Sequence, residues 1–571
     1  MSRRWILLLL IPLALFSCCA AGVAVGALAF PQLRDRVTAM LGLRQQTLAT
    51  ELIPADAVFY MSLSYNLQAQ PGYETIRKAY LDNAEVKRAL EDFRARLKEE
   101  AKIDWEADVA SWLGTEAGIA ILALSPEALE QGRFPLVILI ASRNLQASER
   151  FLQRLRELAA EQGPAFEERT YRRTRYWFRP GQQENEPPVL MATVRDFVVF
   201  AADEQALRAV VDRAEGQGQA LARADRFQRV MKELPSQAVL LGYGDYNGLL
   251  RVLREALARQ PEAPPLEELL GTGPSAELAK AIEAVGFSGE LLPEGLRIQA
   301  ISLIQRDKLS AEAQSALDVP PISEGMLAGV PERVLAILQI PRIGDQLKQS
   351  LEALRSVPDA EQQLRSIESA LGIDLERDLI SWMTGDLVLI VQPVQTATPL
   401  GVPVGVSALI EADRPQEAQT GLERLEALLQ TVGLTVEDRE LEGRSIRVIV
   451  DPSGTPVVGY AFGPRAVGIG LPPEALASSH PERGPERTIR DNRRFQEVLR
   501  RLPDRRSQLL FVDAQELWNL IEDQIPSAER EAFRRDVRPF LVPIRGIGIA
   551  GEALSGSAVQ RGVFFVQITP P

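Results

Sequence analysis

The chain has 571 residues, more than one ordinary core organises, and its 46% hydrophobic and 25% charged residues mark a globular rather than a disordered protein. A net charge of −13 repels phosphate backbones and argues against nucleic-acid binding. Both cysteines, Cys18 and Cys19, fall in the leading apolar stretch, and the one histidine is His480. The body therefore has no disulfide, thiolate metal site or cysteine nucleophile, and any Ser-His-Asp triad has to pass through a single residue.

Arg3 and Arg4 precede an uncharged run from Trp5 to Phe30. That is longer than the about 20 apolar residues a bilayer span needs, and longer than the core of a secretory signal. The positive-inside rule keeps the arginines cytoplasmic and puts everything after Phe30 outside. An uncleaved anchor is the preferred reading. Lipidation at Cys18 through Leu15-Phe16-Ser17-Cys18 comes second, and release after Ala27-Leu28-Ala29 third. All three make the body extracytoplasmic. The expected divisions are residues 1–30 as anchor or signal sequence, 31–51 as juxtamembrane linker, 52–318 as a first α+β repeat and 319–571 as a second.

Within the first repeat, Val58 to Leu63 predicts an opening strand. Val86, Leu90, Phe93 and Leu97 share a helical face behind a cap at Asn83. Strands are expected over Gly118 to Leu124 and Pro135 to Ala141, then a helix over Ser148 to Glu161. Short strands follow, then a helix ending at Leu234-Pro235 and two closing strands. The second repeat opens with Val334 to Leu338, has a cap at Asp359, and carries a long helix from Gln416 to Gln430. Strands that cluster in runs favour an antiparallel α+β fold over a doubly wound parallel sheet.

The repeat rests on ordered matches. Ile103-Asp104-Trp105-Glu106-Ala107-Asp108-Val109-Ala110-Ser111-Trp112 faces Ile373-Asp374-Leu375-Glu376-Arg377-Asp378-Leu379-Ile380-Ser381-Trp382. Phe227-Gln228 and Leu234-Pro235 face Phe495-Gln496 and Leu502-Pro503, and Gly286 to Glu290 faces Gly548 to Glu552. Ile53-Pro54-Ala55-Asp56 faces Val330-Pro331-Glu332-Arg333. The period far exceeds a solenoid unit, so it reads as two whole domains. The partners draw closer along the chain. Extra loops in the first copy are therefore expected near 182–188 and 259–265, and a proline-bearing linker near Asp318-Val319-Pro320-Pro321. The Ile-Asp-x-Glu-x-Asp-x-x-x-Trp segment before a strand, with a Pro-Ala-Asp strand after an N-terminal anchor, resembles the bacterial envelope family called domain of unknown function 3352. The resemblance implies an anchored envelope protein and carries no activity.

Several segments invite chemistry. Asp104, Glu106 and Asp108, repeated as Asp374, Glu376 and Asp378, alternate like calcium ligands but lack the loop glycine and closing glutamate. A helix cap with acidic first-turn residues is the better reading. Trp112 and Trp382 follow an apolar helical stripe and read as core anchors rather than ligand-stacking rings. Gly546 to Gly551 spells a dinucleotide pattern, yet strand-like sequence follows where a helix is required, so it reads as a glycine-rich strand. Tyr171 to Arg179 mixes bases with aromatics on a β-hairpin, and its counterpart, Leu441 to Val448, keeps only part of the charge. The hairpin therefore reads as structural, and any binding, to an anionic polymer or lipid headgroups, would belong to the first copy alone. His480 reads as a solvated loop residue. Paired-carboxylate hydrolysis stays open, with 77 acidic residues offering no basis for choosing a pair.

No catalytic, cofactor-binding or metal residue is assigned, and no cofactor is expected. The expected partners are the membrane, through the leading helix, and an envelope protein, lipid or polysaccharide, but no nucleic acid. The function these features favour is a non-catalytic, membrane-anchored envelope module. A carboxylate-based hydrolase with one degenerate copy, or a carrier of an apolar ligand, are the alternatives.

Overall fold

The computed structural model describes residues 48–570, except 162, 182–186, 260–265, 267–269, 271–272, 356–357, 396–401 and 432. The leading apolar run, its cysteines and most of both expected extra loops lie outside the described residues. Among the described residues, no helix is long and apolar enough to cross a membrane. The chain is mixed α and antiparallel β, as its clustered strands predict. It divides into two compact units. One holds residues up to Gln314, with a short return at Ala558–Arg561, and the other holds Ser315–Ser557 and Gly562–Thr569.

The first unit is built on ten strands: β1 (Phe59–Ser64), β2 (Leu113–Ile121), β3 (Leu136–Ser142), β4 (Glu167–Tyr171), β5 (Thr174–Arg179), β6 (Val189–Val194), β7 (Phe197–Ala201), β8 (Leu240–Gly244), β9 (Ile282–Leu292) and β10 (Gly295–Ile304). Every neighbouring pair is antiparallel, in the order β4-β5-β6-β7-β3-β2-β1-β8-β9-β10. Its helices include α1 (Ala84–Glu100), α2 (Leu145–Ala160), α3 (Glu204–Ala214), α4 (Asp225–Lys232) and α5 (Tyr246–Leu257). Asn83 caps α1 as its sequence predicts, its Oδ1 accepting the Glu85 amide at 2.9 Å. Side chains alternate across a strand, so an apolar run such as Val137-Ile138-Leu139-Ile140 feeds two cores. Val137 and Leu139 pack with Leu207, Val210, Phe227 and Val230 of α3 and α4. Ile138 and Ile140 pack with Trp112 and with Phe151 and Leu152 of α2. Helices on both faces explain why these central strands read as continuously apolar.

The second unit has β11 (Ala336–Ile340), β12 (Leu387–Pro393), β13 (Val404–Glu411), β14 (Thr435–Leu441), β15 (Arg444–Val450), β16 (Pro456–Phe462), β17 (Ala466–Leu471), β18 (Arg506–Val512), β19 (Ile544–Glu552) and, from Gly562 onward, β20 (Val559–Ile568). They run β14-β15-β16-β17-β13-β12-β11-β18-β19-β20, again wholly antiparallel. Strand for strand, this is the order of the first sheet. Its helices include α6 (Ile343–Arg355), α7 (Pro358–Leu371), α8 (Pro415–Thr431), α9 (Pro473–Ala477), α10 (Arg493–Leu499), α11 (Ala514–Gln524) and α12 (Ser527–Asp536). Asp359, expected as a cap, instead lies inside the first turn of α7 behind Pro358. Proline is pre-set for that first position, so it takes the start of the helix.

The Gly546–Gly551 segment lies inside β19, paired on both sides, as a glycine-rich strand. The glycines admit a helix. A Cβ on Gly548 would stand 2.3 Å from Val498 of α10, and one on Gly286 would stand 2.2 Å from Val230 of α4.

Candidate functional site

Each acidic segment folds as one π-helical turn, Trp105–Ala110 and Leu375–Ile380. Asp104 Oδ1 accepts the amides of Glu106 (3.1 Å) and Ala107 (3.2 Å), while Asp108 Oδ2 accepts the Asp104 amide at 2.7 Å. Asp374 accepts the Arg377 amide at 2.8 Å and Asp378 accepts the Asp374 amide at 2.9 Å. The two acids thus cap one turn reciprocally. Side-chain partners take up what remains. Lys98 lies 2.8 Å from Asp104, Arg94 3.3 Å from Glu106 and Arg355 3.2 Å from Glu376. Asp378 is buried between Arg377 (2.9 Å) and Arg424 (2.6 Å), and the Arg377 hydrogen bond holds its carboxyl down to about 2. Among the described residues, no group of three or more His, Cys, Asp and Glu is placed to hold a metal ion.

The tryptophans that close these turns are core residues. Trp112 is buried against Phe151, ring centroids 5.3 Å apart, and its Nε1 donates to the Asp108 carbonyl at 2.7 Å. Trp382 is also buried, but its Nε1 has no hydrogen-bond partner among the described residues. In this unit Gly421 of α8 lies against the Asp378 carbonyl, where a Cβ would stand 1.9 Å away.

Two buried carboxylates went unnoticed in the sequence, although both follow the tryptophan at the same spacing, Trp112-x-x-x-Glu116 and Trp382-x-x-x-Asp386. Glu116 accepts the Tyr60 hydroxyl at 3.2 Å and the Ala49 amide at 3.4 Å. Burial pushes its carboxyl up to about 7. Asp386 accepts the Ser323 amide at 2.5 Å and Gln339 Nε2 at 2.9 Å. Each acid pins the segment leading into its unit onto the sheet.

The basic hairpin forms as expected, between β4 and β5, and the histidine departs from expectation. Acids of α3 and its C-terminal turn meet most of the hairpin's bases: Arg169 with Glu204 (2.5 Å), Arg172 with Asp212 (2.6 Å) and Arg173 with Glu215 (3.6 Å). The guanidinium of Arg156 covers the Trp177 ring at 3.8 Å, and Arg179 is buried. The charge that suggested an anionic partner is therefore largely matched within the unit. His480 is 4% exposed, not solvated. Its Nδ1 accepts the Glu482 amide at 3.3 Å and its Nε2 lies 3.1 Å from the Ser445 carbonyl, so the ring ties the loop after α9 to β15. Both nitrogens are engaged by backbone, which leaves neither for a serine nucleophile.

One feature of the second unit faces outward. Helices α11 and α12 form a short hairpin that Trp518 fastens to the sheet, its Nε1 donating to the Ile544 carbonyl at 3.3 Å. Between this hairpin and Val402 and Val404 at the start of β13 lies an open groove of about 690 Å³. Leu520, Ile521, Ile525, Ala532, Phe533 and Val537 make its walls apolar, and Gln524, Glu529 and Asp536 are its polar members. Ile521, Val537 and neighbouring Phe540 are exposed large apolar side chains. Behind the groove, Glu522 draws in Arg534 (2.5 Å) and Arg538 (2.8 Å), and the Arg534 bond holds its carboxyl below the usual range. The volume lies within the range of ligand and peptide sites, and exposed apolar patches of this kind mark interaction surfaces.

Comparison with solved structures finds three crystal forms of TP0453. Form III matches with a TM-score of 0.24 at 10% identity, covering 47% of this chain and 84% of that one. Form I gives 0.22 at 9%, covering 46% and 80%, and form IV 0.23 at 11%, covering 44% and 79%. Likeness at this level carries no argument. No curated protein matches the chain. The family described as "Protein of unknown function (DUF3352)" matches residues 16–568, nearly the whole length. With the repeated acidic turns, their buried tryptophans and both sheets falling inside that span, the chain belongs to the DUF3352 family.

Proposed function

We propose that this protein is a non-catalytic, extracytoplasmic envelope module, tethered by its leading apolar helix, that binds a partner through its second unit. The observation that carries the reading is the open apolar groove beside α11 and α12. Support comes from how the acidic clusters are used. Asp104, Asp108, Asp374 and Asp378 are engaged as caps and ion pairs, and Glu116 and Asp386 as internal clamps. We further infer that residues 52–318 and 319–571 are two tandem copies of one α+β domain. The common strand order, the paired acidic turns and the matched glycines at Gly286 and Gly548 support this. Arg3 and Arg4 before the uncharged run to Phe30 support the tether.

Two measurements test the proposal. Protease added to intact spheroplasts is expected to digest the body while an N-terminal fragment stays in the membrane after carbonate washing. A body protected inside the cells overturns the topology. Photo-crosslinking from position 521, in the groove wall, is expected to trap a defined partner that the exposed control position 173 does not trap. Equal labelling from both positions removes the groove from the account.

A further inference from the structure

The shape and charge of the groove in the second unit select one class of occupant. A hydrocarbon chain is apolar all round and is held in sites that enclose 70–90% or more of a ligand's surface. This groove is open along one side, so it suits a ligand that is apolar on one face and wet on the other, as an amphipathic helix is. The groove side of α12 reads Glu529, Ala532, Phe533, Asp536. These positions fall at i, i+3, i+4 and i+7, on one helical face, with an acid at each end of an apolar centre. The two acids are about 10 Å apart along the axis at 1.5 Å per residue. Val537, Ile521 and Leu520 extend the apolar centre. Among the described residues, no lysine or arginine lines the groove. Asp536 is met by its neighbour Arg535 at 2.9 Å, on the exposed surface, whereas the Glu529 carboxylate has no ion pair among the described residues. An exposed pair such as Arg535–Asp536 is worth little, so Asp536 stays available to a better-placed cation.

Resting on the binding role argued above, we propose that this groove is the docking site for an amphipathic helix of a partner protein. Its apolar stripe lies against Phe533, Val537 and Ile521, and Lys or Arg side chains two turns apart reach Glu529 and Asp536. Apolar contact supplies most of the affinity. The two carboxylates set register and sign, because charge complementarity mainly governs specificity and association rate. An acidic helix meets like charge at both ends of the groove.

The test uses the full-length, detergent-solubilised protein and a synthetic 14-residue helical peptide. The peptide carries Leu at i, i+3, i+4 and i+7 and Arg at the two flanking positions seven residues apart. Fluorescence anisotropy is expected to give saturable binding. An otherwise identical Glu-flanked peptide should bind at least tenfold more weakly, and the preference should shrink as salt rises. In the Glu529→Arg/Asp536→Arg variant the preference should invert. Because both positions are on the surface, its circular dichroism and unfolding midpoint should match the parent's. Ile521→Asp should abolish binding of both peptides. The proposal is overturned if neither peptide binds, if both bind equally, or if the variant keeps the parent's preference. It is also overturned if a long-chain fatty acid displaces the peptide competitively, since that marks a hydrocarbon site. Protease sensitivity in spheroplasts and trapping from position 521 are independent of the peptide. If those results hold while the peptide fails, only the class of partner falls.

Discussion

Glu116 and Asp378 show how the same functional group is put to opposite uses by its surroundings. Asp378, between two guanidinium groups, is held ionised, and the ion pair stabilises the fold above the ordinary aspartate range and is lost as pH falls towards about 2. Glu116 is buried with no ion pair among the described residues, and desolvation favours its neutral form up to about 7, against 4.5 for the free side chain. The folded state therefore holds a proton that the unfolded chain releases. Stability from this group is complete below about pH 4.5 and falls as pH rises through about 7. Glu116→Gln keeps an acceptor for Tyr60 and does not titrate. Calorimetry should find the variant close to the parent at pH 4 and more stable at pH 8, by up to about 3 kcal/mol. An unchanged pH slope would show that Glu116 is not the group responsible. Trp112 makes a separate prediction. It is among the largest fully buried side chains, and Trp112→Ala should cost about 3–5 kcal/mol, read as a lower denaturant midpoint. These residues were unequally legible in the sequence. A tryptophan after an apolar stripe announces burial by itself. A glutamate at Trp+4 announces nothing until Tyr60 and the Ala49 amide are brought to it from 56 and 67 residues away.

Between elements, closeness of approach decides which residues are tolerated. Helices α4 and α10 lie so near the closing strands that a side chain at Gly286 or Gly548 would collide with Val230 or Val498. Gly286→Val and Gly548→Val should each cost about 1–3 kcal/mol through overpacking, measured by urea unfolding. Gly562→Ala is the control. A Cβ there meets nothing nearer than 3.9 Å, and its unfolding midpoint should barely move. The acidic turns belong to this scale too. Removing the cap with Asp104→Ala should cost about 1 kcal/mol, with no sensitivity to added calcium. A calcium-dependent shift in midpoint would restore the ligand reading. The hairpin of β4 and β5 carries the converse lesson. Its bases were plain in the sequence, but the acids that answer them sit on and just after α3, more than thirty residues further on.

For the whole molecule, cysteine usage gives a direct expectation. With Cys18 and Cys19 both in the leading stretch, reductant should leave the thermal unfolding of the body unchanged, and a shift would mean that the leading segment takes part in folding. What the amino-acid order determined by itself is the antiparallel α+β class, the cap at Asn83, the core tryptophans and the strand nature of the Gly546 segment. These follow from interactions between residues near in sequence, or from periodicities that hold whatever the rest of the chain does. What only the tertiary structure decided is the burial of His480, the neutralised hairpin, the raised carboxyl of Glu116 and the groove beside α12. Each is set by groups that meet across the fold, because desolvation, charge pairing and concavity are properties of neighbours in space, and the chain's order does not name those neighbours.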